Sequence, residues 1–147
     1  MSQKESIERP KEADLGFIDV ELTPEVVRKW VESMDDDNPW HAQDSPFDGP
    51  IIPPALLFGL AIKLRYDSGI LSWPEGDDAV QIQYDMETYR PIRVGERLRV
   101  TGRLVDSYVK REREYFEWDI RFTDESGEEV ARYHHTDLET YRKVGDR

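Results

Sequence analysis

Apolar residues recur at helical spacing in one short segment and run almost unbroken through a second. Thr23 and Pro24 favour the start of a helix, and the apolar residues after them fall on one helical face. Those residues are Val26, Val27, Trp30, Val31 and Met34. In the second segment, "PPALLFGLAIKLRY" at 53–66, every residue from 55 to 62 is apolar or glycine. A helix that is apolar on all sides is buried on all sides, so the chain is predicted to hold one central helix, in which Gly59 is either tolerated or allows close approach of another backbone.

Alternating apolar and polar positions predict strands on either side of these helices. A short strand is predicted at 17–22, and residues 1–16 before it are predicted to be a flexible leader. The later strands are predicted at 79–86, 97–105, 115–123 and 129–141, with the hairpin turn "DESG" before the last of them.

Two of the predicted strands carry apolar stripes. The stripe of 79–86 is Val80, Ile82, Tyr84 and Met86, and that of 115–123 is Phe116, Trp118, Ile120 and Phe122. We interpret the second stripe as core, and Tyr84 and Met86 either as packing residues or as the lining of a ligand tunnel. His134 and His135 are neighbours on the last strand and therefore face opposite sides, so they cannot line one site and are expected to be structural.

The order of these elements predicts an α+β domain at 17–147, in which an antiparallel sheet wraps around the central helix. Such a sheet has unprotected edges and one exposed apolar flank. Side-by-side dimerisation would cover both, and we therefore expect a homodimer or a higher oligomer.

Composition excludes several classes of function. A chain of 147 residues is long enough for one domain with a core, and its net charge of −12 argues against binding to nucleic acid or to an anionic membrane. No apolar run approaches the ~20 residues that cross a bilayer, and no signal segment opens the chain. The chain has no cysteine, which excludes disulfides and thiolate metal sites and favours a reducing cytoplasm. Without a spaced cluster of His and Glu, no metal site is expected.

Charge is unevenly distributed along the chain. Residues 90–113 hold eight Lys or Arg against three acidic residues, whereas residues 35–48 hold five aspartates and no Lys or Arg. A local basic strip on an acidic protein suits a small phosphorylated ligand. The alternative, which the sequence leaves open, is a sheet whose solvated face carries arginines.

The segment "DDDNPWH" at 35–41 resembles the Asp-x-Asn-Pro-x-His motif of the MaoC-like branch of the hotdog superfamily, which includes (R)-specific enoyl-CoA hydratases and acyl dehydratases. Two further segments, "GPIIPPALLFGL" and "YRPIRVGERL", are similar to the loop with central helix and to a strand element of that family. The similarity spans roughly residues 17–141. It implies a hotdog fold and a lyase that reversibly hydrates a trans-2-enoyl thioester to a 3-hydroxyacyl thioester.

The resemblance also implies a role for each residue of the motif. Asp36 and His41 would be the catalytic pair, one accepting a proton from water and the other orienting it or supplying the new proton. Asn38 and Pro39 would fold the loop so that both side chains point inward. Asp37 occupies a free position of the motif. Histidine near its reference pKa is suited to such chemistry near neutral pH.

The thioester oxygen needs hydrogen-bond donors, which the start of the central helix supplies in this family. This chain departs from the family there, because Pro53 and Pro54 have no N–H to donate. We therefore expect Ala55 or Leu56 to donate instead. Trp40 is a second departure, since the family usually has a smaller aliphatic residue, and the indole either narrows the tunnel or faces a dimer partner.

The remaining expectations concern ligand and partners. Arg90, Arg93 and Arg111 are candidates to contact the phosphates of coenzyme A or of a carrier-protein arm, and no metal or redox cofactor is expected because the thioester supplies the acidity. One alternative is a non-catalytic acyl-thioester-binding subunit paired with a second hotdog subunit. Another is a thioesterase, although residues 53–66 lack the carboxylate that many hotdog thioesterases carry on this helix.

Overall fold

The computed structural model of the protein describes residues 12–68 and 79–139. Across these residues five strands and two α-helices follow the predicted order. The strands are β1 (Ala13–Glu21), β2 (Ala79–Thr88), β3 (Arg97–Lys110), β4 (Arg113–Thr123) and β5 (Glu129–Glu139), and the helices are α1 (Pro24–Ser33) and α2 (Ala55–Ser68). No helix within the two ranges is long and apolar enough to span a membrane.

The five strands form one antiparallel sheet in the order β1-β3-β4-β5-β2, which confirms the predicted α+β class. The predicted core stripe of β4 is also confirmed, because each of its four apolar residues is at most 1% exposed. These residues pack with the buried side chains of α2, which are Leu56, Leu57, Leu60, Ala61 and Leu64. The core therefore lies between one helix and the inner face of one sheet.

The prediction that the central helix is buried on every side is wrong. Phe58 and Ile62 are only half-buried and Tyr66 is 73% exposed. The reason is that one flank of α2 faces β2, the edge strand, across an open cavity rather than a packed layer.

The first helix begins as the sequence predicts. Thr23 is its N-cap, and the threonine hydroxyl accepts a hydrogen bond from the Val26 amide at 3.1 Å. Pro24 occupies the first turn, and Val27 is buried against the core. The helix ends at Ser33, and Asp35 then adopts a left-handed backbone (φ 53°), which turns the chain into the acidic loop.

Several strands are longer than predicted. β1 begins at Ala13, so residues 13–16 are not leader, and residues 1–11 lie outside the described part. A bulge near Gly16 (φ +74°) interrupts the alternation there, which explains the late prediction. β3 and β4 extend to a tight turn at Arg111 and Glu112, and the end predicted for β5 at 140–141 also falls outside the described residues.

A second bulge changes which residues of β2 share a face. The register against β5 shifts between Gln81 and Gln83, so that Gln81 lies opposite Asp137 and Tyr84 opposite His135 on the inner face. The predicted stripe is therefore wrong at its N-terminal end. Val80, which pairs with Leu138, is on the outer face and is 47% exposed.

Gly59 is required by a side chain and not by a neighbouring backbone. A Cβ added to Gly59 would lie 2.5 Å from Cζ3 of Trp30 on α1, closer than such atoms approach in proteins. The absence of a side chain at Gly59 thus lets the indole of α1 pack directly on α2.

Candidate active site

Asp36 and His41 are brought together by a single turn of 3-10 helix at Pro39–His41. Asn38 caps this turn, because its side-chain oxygen accepts a hydrogen bond from the Trp40 amide at 3.1 Å. The backbone amide of Asn38 donates to Oδ1 of Asp36 at 2.9 Å. The other carboxylate oxygen, Oδ2, lies 3.1 Å from Nε2 of His41. The structure thus brings the two residues of the predicted pair into contact, with Asn38 and Pro39 forming the bend between them.

The protonation of the pair follows from the second ring nitrogen of His41. Nδ1 lies 2.8 Å from the carbonyl oxygen of Ile51, which can only accept, so Nδ1 carries a proton. A bare Nε2 lone pair and a carboxylate oxygen would repel each other, so their 3.1 Å contact favours a further proton on one of the two atoms. The imidazole is 6% exposed and the carboxylate 32% exposed, so this proton sits at the border between core and solvent. The arrangement can hold one proton and exchange it with a molecule at the open side.

The backbone that orients His41 is itself fixed. Ile51 forms an isolated β-bridge with Arg93, and its amide donates to the carbonyl of Trp40 at 2.8 Å. The next residue, Ile52, donates to the carbonyl of Ile92 at 2.8 Å. The residue that accepts from His41 is therefore anchored both to the catalytic turn and to the segment before β3.

Of the two amides predicted to bind the thioester oxygen, one has no acceptor within the described start of α2. The prediction for Leu56 is wrong, because its amide donates to the carbonyl of Pro53 at 3.0 Å, and the amide of Leu57 donates to Pro54 in the same way. Ala55 is the first residue of the helix and has no intrahelical acceptor for its amide, since the first N–H groups of a helix lack one. It is the N–H that remains for a ligand within the described start of α2.

An apolar cavity of about 610 Å³ lies at the start of α2, and Met34, two residues before Asp36, is among its lining residues. It lies between the end of α1, the start of α2 and the inner face of β2. Its lining residues are Trp30, Met34, Pro54, Ala55, Phe58, Gln81, Tyr84, Met86 and Thr88. Tyr84 and Met86 line this cavity and also pack, Tyr84 against Phe58 and Tyr133 and Met86 against the core. Trp40 is not among the lining residues; it is 40% exposed and packs edge-on against Phe47, with ring centroids 6.0 Å apart.

The predicted basic strip does not form one patch. Arg90 is not available to a phosphate, because its guanidinium donates to both carboxylate oxygens of Glu96 and to Asp124. These bonds raise the pKa of Arg90, and the pKa of Asp124 is lowered to about 2, first by Ser126 and then by Arg90. Other arginines of the strip form cross-strand ion pairs, such as Arg99 with Asp19 at 2.9 Å.

Two of the three predicted phosphate contacts remain, and they lie far apart. Arg93 is exposed and next to the bridge with Ile51, and its guanidinium forms no ion pair within the described residues. Arg111 is exposed at the tip of the β3–β4 hairpin, beyond the 14 residues of β3, which extend roughly 45 Å. Only Arg93 is near the Asp36–His41 pair of its own chain.

Sequence reasoning missed a buried ionic cluster at the opposite end of α2. Arg65 donates to Nε2 of His135 at 2.7 Å and to Oδ2 of Asp137, which also accepts from the indole N–H of Trp118 at 3.0 Å. Burial lowers the pKa of both Arg65 and His135. His135 is 1% exposed, whereas His134 is half-exposed beside Glu117, so the predicted opposite orientation of the two histidines is confirmed.

One signal in the sequence points to this cluster: Arg65 lies within the helix predicted to be buried, and His135 and Asp137, two residues apart, share a face of the last strand. Among the described residues, no group of three or more His, Asp or Glu side chains is arranged to hold a metal ion.

Comparison with known proteins places this geometry in a family. A family model described as "FAS1-like, dehydratase domain region" matches residues 13–133. No curated protein sequence matches the chain.

Similar solved structures include two hydratases and one dehydratase complex. The unliganded R-hydratase PhaJ1 from Pseudomonas aeruginosa has a TM-score of 0.65 at 16% identity, over 93% of this chain and 84% of that chain. The (R)-hydratase from A. caviae involved in PHA biosynthesis has a TM-score of 0.63 at 17% identity, over 90% of this chain and 97% of that chain. The C-terminally truncated HadBC 3R-hydroxyacyl-ACP dehydratase complex from Mycobacterium tuberculosis has a TM-score of 0.69 at 15% identity, over 86% of this chain and 98% of that chain.

At these identities the structural matches speak for the fold alone. The family match is independent of them and covers most of the chain, including the Asp36–His41 turn, α2 and most of the sheet. The protein therefore belongs to the FAS1-like dehydratase-region family, with the hotdog fold of MaoC-like dehydratases and (R)-hydratases.

Proposed function

We propose that this protein is a lyase that reversibly adds water to a trans-2-enoyl thioester to give a 3-hydroxyacyl thioester. The observation that carries the proposal is the 3.1 Å contact between Asp36 and His41 beside an apolar cavity and the start of a largely buried helix. A pair that holds one proton, next to a space for an acyl chain and a backbone N–H, has the groups that hydration requires.

The proton balance of the reaction fits this pair. The oxygen of water bonds to the β-carbon while Asp36 accepts a proton from that water. His41 delivers its Nε2 proton to the α-carbon, and the two residues then share the proton on Asp36, so the pair ends as it began. The charge that develops on the thioester oxygen is stabilised by the amide of Ala55, assisted by the partial positive charge at the start of α2. The thioester makes the α-carbon acidic, so no metal or redox cofactor is required by this chemistry.

The phosphates of the substrate, whether coenzyme A or a carrier-protein arm, are assigned to Arg93. Its backbone forms the bridge with Ile51, the residue that accepts from His41, and its side chain is exposed. A reducing cytoplasm is the compartment that a chain without cysteine suits best.

A second subunit belongs to the proposal. β2 is an edge strand that pairs with β5 only, and the cavity beside it is open on that edge. Its exposed residues Val80, Ile82 and Tyr84 would be covered by a second copy or by another hotdog subunit. Two of the similar structures are complexes, HadBC and ChsH1-ChsH2. Sedimentation of the purified chain tests this, and a stable monomer would contradict it.

The hydratase activity is tested by the loss of ultraviolet absorbance of a conjugated enoyl-CoA. Asp36→Asn and His41→Ala are each expected to lower kcat at least about a thousandfold, since each removes one proton-transfer group. Asp37→Asn is the matched control, because Asp37 is exposed beside the same turn and forms no hydrogen bond or ion pair with Asp36 or His41 in the described structure. Full activity in either catalytic variant would contradict the mechanism.

Two alternatives are separated when a reagent that detects free thiol is added to this assay. A thioesterase would release free thiol. The structure offers little support for it, because the one carboxylate of α2, Asp67, pairs with Lys63 at 2.8 Å near the far end of the helix from the Asp36–His41 pair. A non-catalytic acyl-binding subunit is favoured by Pro53 and Pro54, which remove two N–H groups from the start of α2. Such a subunit would be inactive alone and would act only after mixing with an active hotdog partner.

A further inference from the structure

The cavity beside the catalytic pair has two different ends. Met34 and Ala55 mark the end near Asp36, whereas Gln81 lines the other end. Gln81 lies opposite Asp137 on β5, and Asp137 binds Arg65. Arg65 is ten residues after Ala55, which corresponds to about 15 Å along α2. A chain that enters at the catalytic pair and follows the cavity therefore meets Gln81 last.

The amide of Gln81 is held in one orientation. Its Nε2 donates to the hydroxyl oxygen of Tyr133 at 3.1 Å. Tyr133 is fully buried and packs edge-on against Phe58, with ring centroids 5.9 Å apart, so it gives Gln81 a rigid partner. Burial raises the pKa of Tyr133, which keeps the phenol neutral. With Nε2 engaged, Oε1 is the amide atom left without a partner among the described residues.

An unpartnered Oε1 discriminates between chain ends. A terminal methyl group placed against it would exclude water without offering a hydrogen bond, which is unfavourable. A terminal hydroxyl group would replace the excluded water and donate to Oε1. The remainder of the cavity wall is largely apolar and accepts a hydrocarbon stem of either ligand.

The buried cluster behind Gln81 indicates that the favoured group is neutral. The positive charge of Arg65 is balanced by Asp137, which it contacts directly. His135 adds no charge, because burial lowers its pKa. A carboxylate or an ammonium group at the end of the chain would therefore find no opposite charge to offset its loss of solvent.

We propose that the cavity selects acyl chains that end in a neutral hydroxyl group, and that Gln81 is the residue that selects them. This rests on the proposed function only in taking an acyl thioester as the ligand.

The test uses saturated acyl-CoA thioesters, which cannot be hydrated. Pairs that end in a methyl or a hydroxyl group, from about four to about twelve carbons, are titrated calorimetrically against the whole protein. At the length that reaches Gln81, the hydroxyl-terminated chain is expected to bind about tenfold more tightly. Gln81→Leu should remove this preference. Gln83→Leu is the matched control, since Gln83 is exposed and pairs with Thr136 on the outer face, and it should preserve the preference.

Equal affinities at every length, a preference that survives Gln81→Leu, or no binding of any chain would each overturn the inference. If Gln81→Leu does not fold, Gln81→Met keeps the length of the side chain without the amide and serves in its place. A hydroxyl preference without enoyl-CoA turnover would refute the lyase and leave this inference standing. Turnover without the preference would do the reverse.

Discussion

The carbonyl oxygen of Ile51 accepts the Nδ1 proton of His41 at 2.8 Å, and this contact decides which nitrogen of the ring can react. Only Nε2 faces Asp36 and the open side of the site. The backbone of Ile51 is itself fixed, by a hydrogen bond to Trp40 and by the β-bridge with Arg93, and it therefore holds the imidazole ring in place. The reactive nitrogen is thus selected by backbone structure outside the acidic motif.

The cap at Asn38 should matter more for catalysis than for stability. Asn38→Ala removes the acceptor for the Trp40 amide and loosens the turn that holds Asp36 against His41. We expect kcat to fall about ten- to a hundredfold with a smaller change in KM, and unfolding to become easier by about 1 kcal/mol. Asn38→Asp keeps the acceptor and should retain most activity. Loss of stability at unchanged kcat would show that the turn does not position the pair.

Arg93 and Arg111 should differ in their effect on substrate binding. Arg93→Gln is expected to raise KM for an enoyl-CoA roughly tenfold with little change in kcat, because it removes a charge-assisted contact to phosphate. Arg111→Gln tests the hairpin tip of the same or a neighbouring subunit. An equal rise in KM in both variants would mean that a partner's hairpin reaches the site.

The buried pair of Arg65 and Asp137 should contribute strongly when it is broken from one side. Asp137→Asn leaves Arg65 buried without its counter-charge, and we expect the free energy of unfolding in urea to fall by about 3–5 kcal/mol. Arg65→Met combined with Asp137→Leu removes both charges and should recover much of that loss. Asp19→Asn, which breaks an exposed pair with Arg99, is the control and should change little. A double variant no better than Asp137→Asn would contradict this account.

Stability should fall as the solution becomes mildly acidic. His135 has a pKa below its ordinary value of 6.5 because it is buried among Arg65, Asp137, Trp118 and Tyr133. As pH falls through about 6.5, the unfolded chain gains this proton before the folded chain does, so the free energy of unfolding decreases. Urea unfolding between about pH 7.5 and 5 measures the slope.

The histidine responsible is identified by comparing two variants. His135→Gln should flatten the slope, whereas His134→Gln, on the exposed side of the same strand, should change it less. Identical slopes in the two variants would exclude His135 as the source.

Gly59→Ala should destabilise the protein although alanine is the better helix former. The new Cβ would lie 2.5 Å from the Trp30 ring, and displacing that indole is expected to cost about 1–3 kcal/mol, more than the ~1 kcal/mol gained in helix propensity. Trp30→Leu in the Gly59→Ala background should restore part of the loss. Thermal unfolding of the two variants and the unaltered protein checks this, and a stabilised Gly59→Ala protein would contradict the packing described.

The sequence correctly predicted the features that depend on the period of apolar residues or on the spacing within a short motif. Alternation in β4 correctly predicted Trp118 and its neighbours as core, and the spacing from Asn38 picked out Asp36 as the carboxylate that meets His41. Both features depend on residues close together in the chain, where local geometry decides the outcome.

The remaining features depend on contacts between distant residues. Arg90 has the same residue type and neighbourhood as Arg93, yet Asp124, 34 residues later, helps to neutralise it. Arg65 and Asp137 are 72 residues apart in the sequence, so no periodic pattern of residues predicts their contact.

The bulge in β2 sets which side chains of that strand face α2. With the extra residue present, Gln81 faces α2. Without the bulge, the strand would shift by one position, Ile82 and Val80 would face α2 instead, and this end of the cavity would be apolar. The proposed preference for a hydroxyl-terminated chain therefore depends on the β2–β5 register as well as on the residue at position 81. A change of register alone would remove it, with every side chain unchanged.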